Sequence, residues 1–165
     1  MWAGKTVTSN KSDVTITAWD VDLAGSLTSG TQTVSVHGAK VGQTIGLGST
    51  AKDMQIEDAE LQRVTATGGL RVGGSLGGSV TVDGITAAGS NTVLPVVSLV
   101  ALNDDAQAVF STAASTFNAL TARADNGVTV SVDVTSTVGA VYLDGDADDS
   151  STADGVNAVT LAHDV

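Results

Sequence analysis

The chain has no cysteine, and only 3% of its 165 residues are aromatic. The absence of cysteine removes disulfides, thiolate metal sites and cysteine nucleophiles together. It leaves the compartment open, because large secreted bacterial repeat proteins commonly lack cysteine too. The aromatic side chains are Trp2, Trp19, Phe110, Phe117 and Tyr142, too few to line a sugar-stacking cleft. Basic residues are scarce as well: 7 Lys and Arg against 18 Asp and Glu give a formal charge of −11. After Arg123 there is no Lys or Arg, while Asp125, Asp133, Asp144, Asp146, Asp148, Asp149, Asp154 and Asp164 follow. An acidic chain of this kind repels phosphates and anionic lipid, which argues against nucleic acid as a partner. The longest apolar run, Val93 to Leu102, is broken by Pro95 and Ser98. It is too short for a membrane span. The start, Met1-Trp2-Ala3-Gly4-Lys5-Thr6, lacks a charged region followed by an apolar core, so no signal peptide is expected within it.

What the chain does have is small apolar residues and glycine: 42% is hydrophobic, mostly Val, Ala and Leu, with 19 glycines. The positive mean hydropathy excludes a disordered chain. Val14-Thr15-Ile16-Thr17, Val34-Ser35-Val36, Val80-Thr81-Val82, Val128 to Val134, Val141-Tyr142-Leu143 and Val159-Thr160-Leu161 place apolar residues at i and i+2. That is the pattern of half-buried strands. Turn signals such as Gly68-Gly69, Gly73-Gly74, Gly77-Gly78, Asn126-Gly127 and Asp144-Gly145 separate them. Asp53 to Val64 instead shows near-helical spacing of Ile56, Leu61 and Val64, with acids early and Arg63 late. One or two helical turns are expected there, and a weaker echo at Ala113 to Leu120.

The chain also partly repeats. Val34-Ser35-Val36-His37-Gly38 returns as Val80-Thr81-Val82-Asp83-Gly84 and more loosely as Val128-Thr129-Val130-Ser131-Val132, at nearly equal intervals. A second echo, at a somewhat longer interval, aligns Ala59 to Ala66 with Ser115 to Ala122 and puts Phe117 in the core position of Leu61. A long period built on short strands signals stacked units, each covering its neighbour's apolar face. The interval from one copy to the next winds as about two turns of ~20–25 residues each. The expected fold is all-β, a right-handed parallel β-helix (β-solenoid) forming one domain over residues 1–165, with one short helical turn near 53–64. Its terminal ladders, Val14 to Thr17 and Val159 to Leu161, would be left open to pair end to end with another copy.

Asp58-Ala59-Glu60-Leu61-Gln62-Arg63-Val64-Thr65-Ala66, the Gly-rich turns, and Val80-Thr81-Val82-Asp83-Gly84-Ile85-Thr86 resemble modules of filamentous-haemagglutinin-like repetitive bacterial surface proteins. So does Ser115 to Ala122 followed by Gly127 to Asp133. The similarity runs over roughly residues 24 to 165. It implies a right-handed β-helical shaft, export to the cell surface, and a non-enzymatic role in adhesion, filament or coat assembly toward a surface carbohydrate or host-cell ligand. Such proteins are far longer, so the resemblance makes this chain a piece of one, or a short relative that assembles. It brings no catalytic residues.

The sharpest chemical feature is Asp144-Gly145-Asp146-Ala147-Asp148-Asp149. Carboxylates at alternate loop positions can gather oxygen ligands around Ca²⁺, with Asp144, Asp146, Asp148 and Asp149 as the ligand set and Asp154 as a further oxygen. The EF-hand pattern fails at its sixth and twelfth positions, Asp149 and Gly155. The alternative is a solvated acidic loop that holds neighbouring rods apart. His37 falls where Asp83 stands in the repeat, an exposed strand-end position, and His163 has no visible partner. No Gly-x-Ser-x-Gly elbow is present, and Gly68 to Gly78 lacks the lysine of a phosphate loop. Glu57, Asp58 and Glu60 with Arg63, or Asp104-Asp105, are the pairs a carbohydrate-active β-helix enzyme would use.

Overall fold

The structure, a computed structural model, describes residues 1–149 and 155–162. The chain opens with β1 (Thr6–Thr8), β2 (Val14–Ala18) and β3 (Ser26–Gly30). Next come β4 (Val34–Gly38), β5 (Ile45–Gly48), β6 (Met54–Ile56), the single-turn α1 (Asp58–Leu61) and β7 (Val64–Ala66). A third passage holds β8 (Leu70–Gly74), β9 (Val80–Asp83) and the short α2 (Ala87–Ser90). It is followed by β10 (Val97–Ala101), β11 (Ala108–Phe110) and β12 (Ser115–Phe117), then β13 (Leu120–Ala124), β14 (Val128–Val130) and β15 (Val134–Ser136). The last two strands are β16 (Val141–Asp144) and β17 (Val159–Leu161).

These strands make parallel sheets, and the fold is all-β. The first large sheet has six strands in the order β16-β13-β10-β8-β4-β2, and the second has six in the order β17-β14-β11-β9-β5-β6. Smaller sheets, β1-β3-β7 and β12-β15, flank them. Every pairing is parallel, so the chain must cross over between partners. From β4 onward it does so by visiting the first large sheet, then the second, then the flank, in rotation.

Register shows the circuit length. Val14, Val34, Leu70, Val97, Leu120 and Val141 lie in one row. Strand spacing of about 4.8 Å makes this row on the order of 24 Å long. The circuit from Val34 to Leu70 is the longest because it carries β6 and α1, and the later circuits shorten steadily toward Val141. Within the row Val34, Leu70, Val97 and Leu120 are buried, whereas their sequence neighbours Ser35, Arg71, Ser98 and Thr121 are not. Alternation therefore aligns aliphatic side chains inward, one above the next. A single cluster joins them, with Phe110 and Phe117 its largest members.

The repeats map onto this unevenly. Val80 and Val128 share a row through Ala108, so the echo between them spans two circuits of the second large sheet. The echo from Val34 to Val80 does not stack, because β4 and β9 belong to different sheets. The helical expectation is corrected in part. Met54–Ile56 is strand, and only Asp58–Leu61 turns as helix, with the Glu60 carboxylate accepting from the Glu57 N–H at 2.9 Å. Ala113 to Leu120 holds no helix: Ser115–Phe117 is a strand whose first and last residues face the core. A helical turn appears instead at Ala87–Ser90, where the Thr86 hydroxyl caps the Gly89 N–H.

Buried polar side chains close the corners between circuits. Asn118 donates to the carbonyls of Asn91 and Val93 at 3.2 and 3.0 Å, while its Oδ1 accepts from the Thr137 hydroxyl. Gln43 donates to the Ala18 and Trp19 carbonyls and accepts from the N–H groups of Ala39 and Lys40. Each satisfies backbone groups that bends between strands would otherwise leave without partners.

Candidate functional site

The acids with enzymatic spacing serve the scaffold. Glu60 is buried and accepts from the Leu23 N–H at 2.7 Å as well as from Glu57. Asp58 accepts from the N–H and hydroxyl of Thr86, both at 2.8 Å, and so joins two circuits. Arg63 donates from Nη1 to the Leu23 carbonyl at 2.7 Å. These groups spend their hydrogen-bonding capacity on backbone and capping contacts.

Asp104 and Asp105 belong to a different constellation. The turns after β10, β13 and β16 follow strands that are in register, so Asp104-Asp105, Asp125 and the Asp144–Asp149 segment share one corner. The Asp105 N–H donates to Asp125 Oδ2 at 2.9 Å. Burial pushes the Asp125 carboxyl above its ordinary value, and Asp148, Asp104 and Asp105 add to this, against that hydrogen bond. Asp146 is also raised, first by desolvation and then by Asp148, Asp149 and Asp144. Asp144 itself pairs with Arg123 Nε at 3.1 Å, and Arg123 Nη2 donates onward to the Ala147 carbonyl. Among the described residues, no three or more His, Cys, Asp or Glu side chains converge as a metal-holding group. Asp154 and His163 lie outside the described residues. Sequence reasoning missed the contribution of Asp104, Asp105 and Asp125. The signal was available: Asp104, Asp125 and Asp146 are evenly spaced, each one late circuit from the next, the same step that carries Leu120 to Val141.

The two ends of the row differ. Val141 pairs with Leu120, and Val159 and Leu161 pair with Val128 and Val130. Leu120, Val128 and Val130 are at most 4% exposed, but Val141, Val159 and Leu161 are 41%, 41% and 65% exposed. The last strands thus carry core-type side chains on which no further strand stacks among the described residues. A cavity of about 350 Å³ opens here among Val130, Val134, Val141, Leu143 and Leu161. Five aspartates, Asp133, Asp144, Asp146, Asp148 and Asp149, and no Lys or Arg, fall between residues 133 and 149.

The opposite end is better covered. Asp20 Oδ1 accepts from the N–H groups of Val21 and Gln55, which lays Asp20 to Leu23 across edge strand β6. Val21, Leu23, Met54 and Ile56 are buried in consequence. The terminal amine of Met1 donates to the Asp22 carbonyl and ties the first residues down over this end. Val14 to Thr17 falls in β2, whose only strand neighbour among the described residues is β4. Lys5 and Lys11 flank this end in sequence.

No protein-family model, no curated protein and no solved structure matches the chain. No described helix is long and apolar enough to cross a membrane.

Proposed function

We propose that this chain is a non-enzymatic structural module, a right-handed β-solenoid of one domain that builds a filament or adhesive coat on a bacterial surface by head-to-tail stacking of copies. The observation that carries the reading is the burial difference in the last circuit, where Val141, Val159 and Leu161 hold core positions without a covering layer among the described residues. A sheet edge beside an uncovered apolar layer templates a further strand. The occupant is a second copy, because the first large sheet ends in strands of the same parallel sense, β16 at one end and β2 at the other, while β6 is covered by Asp20 to Leu23. The acidic end around Asp133 and Asp144–Asp149 repels its own kind, which disfavours pairing of two such ends. The cell-surface location and a carbohydrate or host-cell target rest on the resemblance to filamentous-haemagglutinin-like proteins.

Electron microscopy and sedimentation over a wide concentration range test the assembly. Fibres or a concentration-dependent oligomer series are expected, and Leu161→Asp, at an exposed site, should abolish them while leaving the melting temperature unchanged. A monodisperse monomer at every concentration would sink the reading, as would assembly indifferent to Leu161→Asp.

A second reading, calcium-dependent assembly, is favoured by the crowding of Asp146 among Asp148, Asp149 and Asp144. A divalent cation would relieve that repulsion. Millimolar Ca²⁺ should then raise the melting temperature of the protein but not of an Asp146→Asn, Asp148→Asn variant; no calorimetric heat would remove this reading.

A further inference from the structure

On the flank of the first large sheet, away from the acidic corner, lies an open groove of about 520 Å³. Its floor is the outward row of β2, β4 and β8: Thr15, Ser35 and Arg71 are in register, with Thr17 beside His37 in the next row. Its walls are the turns after β4 and β8, which the Gly42 N–H joins by donating to the Leu76 carbonyl at 2.8 Å. Two of the chain's 7 Lys and Arg residues, Lys40 and Arg71, line it together with His37, one of 2 histidines.

Among the described residues no carboxylate lines this groove, although the chain carries 18 Asp and Glu. Among the described residues the Arg71 guanidinium has neither a hydrogen bond nor an ion pair, while Arg123 and Arg63 both have partners. Lys40 Nζ is held 4.8 Å from the centre of the Trp19 ring, which fixes the ammonium at the rim without neutralising it. His37 is oriented by Thr17, whose hydroxyl lies 3.1 Å from Nε2, and by the Gly38 carbonyl 3.3 Å from Nδ1. On a chain of charge −11, Arg71 and Lys40 are grouped around hydroxyls, and the acid that acts on Lys40, Asp53, lies outside the groove. Such a group attracts an anion where the rest of the surface repels it.

We infer that this groove binds a monosaccharide-sized ligand bearing a carboxylate or a phosphate. The planar fork of Arg71 matches two oxygens of such an anion, and Lys40 adds a point charge. The hydroxyls of Thr15, Thr17 and Ser35 are partners for a polyol. The volume falls in the range of small-ligand sites. The inference stands whether or not copies stack.

The test is titration of the protein, at low salt, with glucuronate, glucose 6-phosphate, inorganic phosphate and glucose, followed by amide NMR shifts and calorimetry. Saturable binding of glucuronate or glucose 6-phosphate is expected, with shifts confined to residues 15–17, 35–41 and 71–77, and the tighter of the two identifies carboxylate or phosphate as the preferred group. Arg71→Gln should weaken that binding by about tenfold or more, the scale of one lost charge-assisted contact. Lys52→Gln, outside the groove, should leave it unchanged. Arg71 is exposed, so an unaltered melting temperature will separate lost binding from lost fold. The inference is overturned if neither sugar acid nor sugar phosphate saturates, if glucose or inorganic phosphate binds as tightly, or if Arg71→Gln binds like the wild type.

Discussion

Gly73 and Gly74 stand side by side at the end of β8, yet stacking makes opposite demands on them. Gly73 has φ +86°, in the left-handed region, and a Cβ built on it would run into the carbonyl oxygen of Val100 in the next circuit. Gly74 lies outside the left-handed region, and a Cβ there meets nothing within 4 Å. Gly48, at the end of β5, repeats the Gly73 situation against the Asp83 carbonyl. Alanine at Gly73 incurs about 1–2 kcal/mol of backbone strain. Because the obstacle is a ladder carbonyl rather than a flexible side chain, displacing it adds about 1–3 kcal/mol. A loss of about 3 kcal/mol lowers the melting temperature of a chain this size by roughly 6–12 °C. Gly74→Ala should lie within about 0.5 kcal/mol of wild type, or stabilise slightly by restricting the unfolded chain. Calorimetry and urea unfolding of the two variants in parallel measure the difference. Equal melting temperatures, or a worse Gly74→Ala, would refute the close approach of β8 and β10 on which the parallel row depends.

Phe117→Ala removes one of the two largest fully buried side chains and should cost about 3–5 kcal/mol by urea denaturation. Asn118→Ala leaves the Asn91 and Val93 carbonyls without their donor and should cost about 2–4 kcal/mol, whereas Ser136→Ala, a half-buried hydroxyl, should cost about 1 kcal/mol. Asp125 holds its proton to a higher pH folded than unfolded, so its contribution to stability is greatest in acid and declines as pH rises from 3.8 through the raised folded value. Asp125→Asn keeps the acceptor for the Asp105 N–H but cannot ionise; its melting temperature should gain on wild type as pH rises from 3.8, and a gap independent of pH would contradict this.

The strands were legible because their alternation is local. Val34-Ser35-Val36, Val80-Thr81-Val82 and Val128-Thr129-Val130 all form strands that present valine inward. The edge positions of β2 and β17 were legible for the same reason, and Phe117 lies in the core where its alignment with Leu61 put it. Circuit lengths were not. The step from Val34 to Leu70 is nearly twice that from Val14 to Val34, since turns of a parallel stack can lengthen outward without disturbing the row. The echo at Ala113 to Leu120 misled because Ser115 and Thr116 suit a strand as well as a weak helical turn, and pairing with β15 decided between them.

Sites were harder to see than strands, and for one physical reason. In a parallel stack, side chains become neighbours by circuit register, not by proximity in sequence. Asp104, Asp125 and Asp146 share a corner because each is one circuit from the next, while Thr17, His37 and Arg71 share a groove across circuits of unequal length. Neither set resembles a local motif: the acids recur only at the distance of a whole circuit, and the insertion in the second circuit sets Arg71 farther from His37 than His37 is from Thr17. The Asp144–Asp149 run drew notice because it is contiguous, yet its first carboxylate is already committed to Arg123 and its neighbours repel one another. Arg71, without an ion pair among the described residues, sits alone in the sequence among glycines and apolar residues. Chemistry on such a scaffold is therefore written across the circuits, and a single insertion in a turn would relocate a site without altering any of the residues that form it.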